Sequence, residues 1–484
     1  MFVPAAATAF SLSMNRRFSA VAAALLFIAL LLAYGFDLGH GFVKDDFNWI
    51  YTSPLRSAVD VVALMGRSSG FYRPLVSISF GVDQLLFDLR PAGYGWTNFV
   101  LLVACGGSIA SLVRTMGMPL WAGLVAAAVW AFNFHGINMA VLWLSARTGL
   151  LFTLFAALTL RSVLVDRWLL AGGLCFAALC SKEEAVCLPL LSAVWVMASI
   201  SGDRGVKARM LATARATWPQ WVALGIYLLL RAQSGAFTPR SAPSFYQFTF
   251  DPGAVLRNVG EYADRSSTFA AAVTLLALVY FRTAPRRSPE VLRWILQGSS
   301  WLALGFAITV WLPVRSSLYA VMPSVGSAII ASALLVSAAS SVPVTRVRRA
   351  ALAGLVLPFL LLPIYRARNV RWVELADLSA YTLRFLDHER ATLPAGSLVT
   401  LIDDPATRAN LASAFGSSYP QAARLAFGDR LQLWIELPPD QLAESGLQRP
   451  AMQPSRIYEL ARGVLREVPF SIQNDSAPPP SAPR

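Results

Sequence analysis

Phe18-Ser-Ala-Val-Ala-Ala-Ala-Leu-Leu-Phe-Ile-Ala-Leu-Leu-Leu-Ala-Tyr-Gly-Phe36 is followed a short way on by Lys44-Asp45-Asp46-Phe47-Asn48-Trp49-Ile50-Tyr51. The first stretch carries no charge and is long enough to cross a bilayer as a helix. Charged side chains close to a bilayer are costly unless hydrated, paired or used. Two adjacent carboxylates just beyond such a span therefore need an explanation.

Composition extends the reading to the whole chain. Of 484 residues, 56% are hydrophobic and only 14% charged, with mean hydropathy +0.53. Soluble domains carry about 25% charged residues, so lipid must be the solvent for most of this chain. The net charge of +14 would suggest nucleic-acid binding in a soluble protein. Its distribution excludes that class, because residues 366–484 hold 13 Arg against 13 Asp and Glu. The whole excess lies in the apolar part.

Apolar runs occur at about 18–36, 94–113, 119–134, 148–165, 168–181, 185–200, 218–232, 267–281, 298–313, 319–340 and 349–365. They predict an all-α polytopic membrane protein of about eleven transmembrane helices, several of them short enough to tilt or to enter only partway. With the N-terminus inside, the inner loops hold 16 Lys and Arg against 3 acids, and the outer segments 12 against 11. The positive-inside rule therefore predicts a cytoplasmic N-terminus (residues 1–17), an inner or plasma membrane location and a periplasmic or extracytoplasmic C-terminus. Arg16-Arg17 before Ala20–Leu32 resembles a signal peptide, but no A-x-A site follows, so a retained first helix is expected.

The membrane domain is expected over 18–365, with its largest outer loop at 37–93. In that loop Leu55, Val59, Val62 and Met65 share one helical face, and Leu75, Ile78, Val82, Leu85 and Leu89 repeat the pattern. Two such amphipathic helices would lie along the membrane surface. A second outer segment, 233–265, is polar and aromatic, with Arg240, Tyr246, Arg257, Tyr262 and Arg265. Residues 366–470 predict a small α/β C-terminal region, helical over Val370–Glu389 and strand-like at Ser397–Ile402 and Arg430–Leu437. Its Pro-rich tail, 471–484, is expected to be disordered. Of the four cysteines, Cys105 and Cys175 read as core residues. Cys180 and Cys187 flank a polar turn, where a disulfide would need an oxidising compartment.

Four stretches occur in an order that resembles a known group. They are the acidic pair at Lys44–Tyr51; His135-Gly-Ile-Asn-Met-Ala-Val-Leu-Trp143-Leu-Ser145-Ala-Arg147; Cys180-Ser181-Lys182-Glu183-Glu184-Ala-Val-Cys-Leu-Pro189; and Arg315-Ser-Ser-Leu-Tyr319-Ala-Val-Met-Pro323-Ser324-Val-Gly326. With the first span and two surface helices, they resemble the GT-C glycosyltransferases that use polyprenyl-phosphate sugars. The nearest resemblance is to the protein O-mannosyltransferase branch and its bacterial relatives. It covers roughly residues 18–365. Ala146 departs from the glycine of the family's W-x-S-G-R segment, and Thr148-Gly149 stands where an acid is common. The tetratricopeptide repeats of some relatives are missing from the sequence.

The resemblance implies transfer of a sugar from a polyprenyl-phosphate donor to a protein, glycan or lipid hydroxyl, with inversion. A carboxylate must then take the hydroxyl proton. Asp45 or Asp46 fits that role; a helix N-cap at Phe47 is the competing reading. Arg315, Arg147 and Lys182, with Tyr319, Arg73 and His135, are the expected contacts for lipid phosphate or sugar. For Arg315, Arg147 and Lys182 the alternative is snorkelling to headgroups. For His135 it is hydration at the interface, and for the Tyr72-Arg73-Pro74 stretch a helix start at Pro74. Glu183 is expected to pair with Lys182 or to belong to the site. No cofactor is indicated, and no D-x-D signature or Cys/His spacing supports a metal. Asp403-Asp404-Pro405 reads as a strand-to-turn pair. A flippase for lipid-linked sugars would show paired midspan charges and internal repeats, which the sequence lacks. A non-catalytic subunit with the same fold is the other alternative.

Overall fold

The computed structural model describes residues 16–67, 70–200, 205–238, 241–404, 407–437, 442 and 447–469. The start at residues 1–15, Arg240 and the tail 471–484 lie outside the described residues. The chain is mostly helical and divides into two compact units: one holds Met1–Gly41 and Thr52–Val373, the other Phe42–Tyr51 and Glu374–Arg484.

In chain order the helices are α1 (Arg16–Tyr34), α2 (Asp45–Thr52), α3 (Ala58–Gly66), α4 (Pro74–Phe87), α5 (Pro91–Thr115), α6 (Leu120–Ala131), α7 (Ile137–Leu142), α8 (Arg147–Leu164), α9 (Trp168–Leu179) and α10 (Leu188–Ser199). They continue with α11 (Val206–Gln233), α12 (Pro252–Phe281), α13 (Pro289–Gly305), α14 (Ser324–Ala339), α15 (Val344–Leu360), α16 (Leu362–Glu389), α17 (Leu411–Phe415) and α18 (Tyr419–Phe427). Each of the eleven apolar runs falls on a helix. By length and composition, four described stretches suffice to cross a membrane: Phe18–Asp37, Pro91–Thr115, Leu144–Leu164 and Val344–Thr392. Pro74–Phe87, Leu120–Ala131, Trp168–Leu179 and Ser324–Ala339 are apolar but shorter.

The starts of the long helices follow local chemistry. Asp251 accepts a hydrogen bond from the Ala254 N–H at 2.7 Å and Ser288 from the Val291 N–H at 3.3 Å, each with proline at the next position. Such caps satisfy donors that the first turn leaves without partners, and proline there costs no hydrogen bond. Ser57 and Asp60 close a capping box at the start of α3.

The two amphipathic stretches form helices α3 and α4, with a partly different buried face from the one the pattern indicates. In α4 the buried residues are Pro74, Val76, Phe80, Gly81 and Asp83, while Val82, Leu85 and Leu86 are exposed. Val59 and Val62 of α3 are also exposed, and Leu64 is buried. An apolar face left open on such a helix suits a lipid surface.

In the second unit a four-stranded sheet has the order β2-β1-β3-β4, with β1 Ser397–Ile402, β2 Leu431–Glu436, β3 Arg456–Ala461 and β4 Val464–Glu467. β1 runs parallel to β2 and β3, and β3 and β4 form an antiparallel hairpin. Its two-residue turn, Arg462-Gly463, has φ of 52° and 79°. Two positive φ values in sequence match the primed turns that suit a twisted hairpin. The expected strands at 397–402 and 430–437 are present. The Asp403 carboxylate accepts from the backbone N–H groups of Asp404, Leu411 and Ala412 at 2.7–2.9 Å, so it braces the turn after β1. All four cysteines are buried and free, so no Cys180–Cys187 bridge forms.

Candidate functional site

In the helical unit, residues far apart in sequence converge on one charged cluster. The Leu75 N–H donates to the Cys180 carbonyl at 3.1 Å, which brings the start of α4 against the Ser181–Glu184 turn. Arg73, just before α4, donates to Glu183 through Nε at 2.9 and 3.1 Å and through Nη2 at 2.7 Å. This two-point contact is the strong form of a charge-assisted pair. Arg231 from the end of α11 lies 3.7 Å from the same carboxylate. Lys182 pairs with Glu184 at 2.9 Å, and its ammonium lies 4.9 Å from the centre of the Tyr319 ring. Glu183 thus pairs with Arg73, 110 residues away, rather than with its neighbour Lys182.

Aromatic rings wall the cluster. The Arg73 guanidinium lies 4.3 Å from the centre of Phe71, which meets Phe237 and Tyr246 edge-on at 5.5 and 5.1 Å. Tyr319 touches Tyr262 edge-on at 6.3 Å. The turn that carries Tyr319 is held from behind. The Trp130 and Trp301 indoles donate to the carbonyls of Val321 and Met322, each at 2.8 Å. Gly136, with φ +89°, packs so close that a Cβ there would meet the Ser317 carbonyl at 2.4 Å. Only glycine combines that φ with that approach.

Three cations (Arg73, Lys182, Arg231) face two carboxylates (Glu183, Glu184), a surplus of one positive charge. The side chains in the Arg73–Glu183–Arg231 group are 17–26% exposed and so partly open, whereas Lys182 and Glu184 are 4% and 9% exposed. Burial alone would raise the Glu183 carboxyl, but Arg73, aided by Arg231, holds it below the usual range. Nearby, Arg315 and Arg265 share Glu261, with Arg265 at 2.7 Å. There too cations exceed carboxylates by one.

The other sequence candidates separate. Arg147 is fully buried: it pairs with Asp83 at 2.6 Å and lies 4.1 Å from the centre of the Phe80 ring. Thr97 donates to the same Asp83 at 2.7 Å. That is the geometry of a packed ion pair rather than of an open phosphate clamp. The reason is depth, since the segment around it starts a helix whose first turns are all buried. His135 is partly buried, and its backbone N–H donates to Asn133 at 3.2 Å. Burial, with Arg368 adding to it, pushes its imidazole below the usual value, so it is neutral at pH 7.

The acidic pair lies in the second unit, at the first turn of α2. Lys44, with φ 50°, stands at the position before the helix, so neither aspartate is the N-cap itself. Asp46 is fully buried and accepts from the Val43 N–H at 2.9 Å, bracing the turn. Asp45 is exposed. Both sit where the helix dipole favours negative charge. The segment is fixed by the Lys44 N–H donating to the Ala414 carbonyl at 2.8 Å, by Phe47 stacking on Phe415 at 5.5 Å, and by Arg424 donating to the Tyr51 hydroxyl at 2.9 Å.

Sequence reading missed Glu184, Arg231, Glu261 and Asp83 as partners. Arg231 ends an apolar run, and Arg147 begins one. A cation so placed calls for a counter-ion, which was the available signal. Among the described residues no group of three or more His, Cys, Asp or Glu could hold a metal ion.

No family model matches the chain, and no curated protein matches it. Among solved structures it is similar to the Archaeoglobus fulgidus oligosaccharyltransferase in complex with Zn and sulfate, with TM-score 0.46 and 12% identity over 86% of this chain and 62% of that one. The apo form of that protein gives TM-score 0.45 and 12% identity, covering 87% and 65%. The chain thus spans less than two thirds of the length of those solved chains.

Proposed function

We propose that the protein is a membrane glycosyltransferase of the GT-C kind, moving a sugar from a polyprenyl-phosphate donor to an acceptor hydroxyl on the outer face. The observation that carries this reading is the half-open group of Arg73, Glu183 and Arg231 beside Lys182 and Tyr319. Lys182 and Tyr319 come from two of the chain's distinctive motif stretches and Arg73 from the Tyr72-Arg73-Pro74 stretch, and the cations of the group exceed its carboxylates. A surplus cation open to water, beside aromatic rings, suits a lipid phosphate and the sugar attached to it.

In this reading Arg73 and Arg315 hold the phosphate, with Arg231 and Glu183 fixing Arg73 in place and Lys182, buried against Glu184, backing the cluster. A phosphate leaves without help from an acid, so one general base suffices. Asp45 supplies that base, because it is exposed at a helix N-terminus while Asp46 is committed to its own backbone. Direct displacement inverts the anomeric carbon.

The parity of the span count has its own support. Phe42–Tyr51 follows the first span, and it folds in one unit with the residues after Glu374. The two segments therefore share a side of the membrane, and the chain between them crosses an even number of times. A reading of eleven spans, ten of them between these segments, meets that condition.

The test is transfer from a radiolabelled polyprenyl-phosphate sugar in membranes carrying Asp45→Asn or Asp46→Asn. The proposal expects loss of transfer in Asp45→Asn at normal protein level. Full transfer in both variants would sink the catalytic assignment.

A further inference from the structure

The helical unit contains an apolar cavity of about 560 Å³, lined by residues of α1, α6, α12, α14 and α15. That volume lies within the range of small-molecule sites. Among its lining residues are Phe18, Trp121, Phe281, Leu335 and Gly354, with Arg349 at its edge. It runs along α12 from Phe269, seven residues or roughly 10 Å past Tyr262, to Phe281, so its far end is remote from the Tyr319 cluster. Tyr262 of α12 touches Tyr319, while Phe281 of the same helix lines the cavity, and 19 residues of helix rise roughly 28 Å.

Two features identify an occupant. First, the apolar stretch beginning at Val344, which includes α15, has only 11% of its most apolar window buried, against 33–72% for the other three candidate spans. A Cβ added at Gly354 would meet nothing within 4 Å, so the backbone of α15 borders open space. A long alkyl chain fills such a groove without needing a polar partner. Second, Arg349 lines the cavity, and the chain segments next to its wall at Phe281 and Ala350 are rich in cations. Residues 282–293 and 346–349 hold seven arginines (282, 286, 287, 293, 346, 348 and 349) and one acid, Glu290. Arg346 donates to the Phe281 carbonyl at 3.2 Å, which ties that basic end to the cavity wall. Arg348 and Arg349 are exposed.

We infer that this cavity is a binding site for an anionic glycerophospholipid, with an acyl chain along α15 and the phosphate at Arg349 and Arg346. A polyprenyl donor with its phosphate at these arginines would hold it at the Phe281 end, away from the Arg73–Lys182 cluster, so an anionic glycerophospholipid is the occupant that fits the basic end. The site goes beyond the proposed transfer reaction and does not depend on it.

Native mass spectrometry of the full chain released from detergent tests this, with phosphatidylglycerol, phosphatidylcholine and a polyprenyl phosphate added in turn. The wild type is expected to retain phosphatidylglycerol in preference to the other two. Gly354→Phe fills the groove and is expected to abolish that retention. Arg346→Ala/Arg349→Ala is expected to lower phosphatidylglycerol retention about fivefold per arginine while leaving phosphatidylcholine unchanged. Equal retention of phosphatidylglycerol and phosphatidylcholine by the wild type would overturn the proposal, as would stronger retention of polyprenyl phosphate. Unchanged phosphatidylglycerol binding in the arginine variant would do the same, and that variant alters only exposed side chains.

Discussion

Arg147 and Arg73 lie in the same helical unit, and each pairs with a carboxylate at 2.6–2.7 Å, yet they do different work. Arg147 and Asp83 are 0% and 3% exposed and match one to one. Arg73 shares Glu183 with Arg231, is 17% exposed and belongs to a group with a cation to spare. Equal distance therefore says little, and burial together with charge balance says most. The same division separates Asp46, buried and bonded to its own turn, from Asp45, exposed one residue earlier.

The sharpest break of this comparison is Arg147→Met. Removing one partner of a buried pair strands the other charge, at a cost of about 3–5 kcal/mol. Thermal unfolding in detergent should show a large loss of stability, and Arg73→Met a much smaller one. If both lose equally, burial is not the discriminator. Next comes Asp45→Asn. General-base catalysis is worth roughly 10²–10⁴ in rate, so transfer should fall by that much with the unfolding temperature unchanged. Asp46→Asn should show the reverse, a destabilised protein that retains part of its rate.

Glu183→Gln is expected to be intermediate. Loss of a charge-assisted pair costs about 1.5–3 kcal/mol, and the loosened Arg73 should raise the donor KM more than it lowers kcat. Acid should reproduce this change. Glu183 titrates below its ordinary value in the folded protein, so its contribution is complete above about pH 4.3 and is lost as pH falls through the lower folded value. Donor binding measured across that range should weaken in the wild type and stay flat in Glu183→Gln. The smallest effect on stability is expected for Arg315→Ala. Its pair with Glu261 is 40% and 35% exposed, and surface pairs contribute about 0–1 kcal/mol. A larger drop in unfolding temperature would mean that Arg315 belongs with Arg147.

The parts of the molecule legible in the sequence are those set by local pattern. The eleven apolar runs each became helix, Ser397–Ile402 became β1, and the Asp403 pair became a turn brace. Leu75, Val82 and Leu85 signalled a surface helix, but its buried face turned toward Val76, Phe80 and Asp83, because packing partners from α5 and α8 decide rotation. Arg73 and Lys182 were legible as candidates; their joining through Glu183 and Glu184 was not. Pairs 110 residues apart leave no periodic trace. β3, β4, α17 and α18 were missed because short amphipathic stretches in a polar region give weak period signals. The depth of Arg147 was hidden too, since its neighbours look alike whether they face lipid or protein.

The placement of α2 carries a consequence for biosynthesis. Phe42–Tyr51 is made early, but the residues it folds with begin only at Glu374, about 300 residues later. At ribosomal speeds of 5–20 residues per second, that is a wait of roughly 15–60 s. Through that interval Phe47 has no Phe415 to stack on and Lys44 has no Ala414 carbonyl to meet. The helix that carries Asp45 is thus completed only when synthesis is nearly finished, so a chain truncated before the sheet would keep its spans and lose this turn.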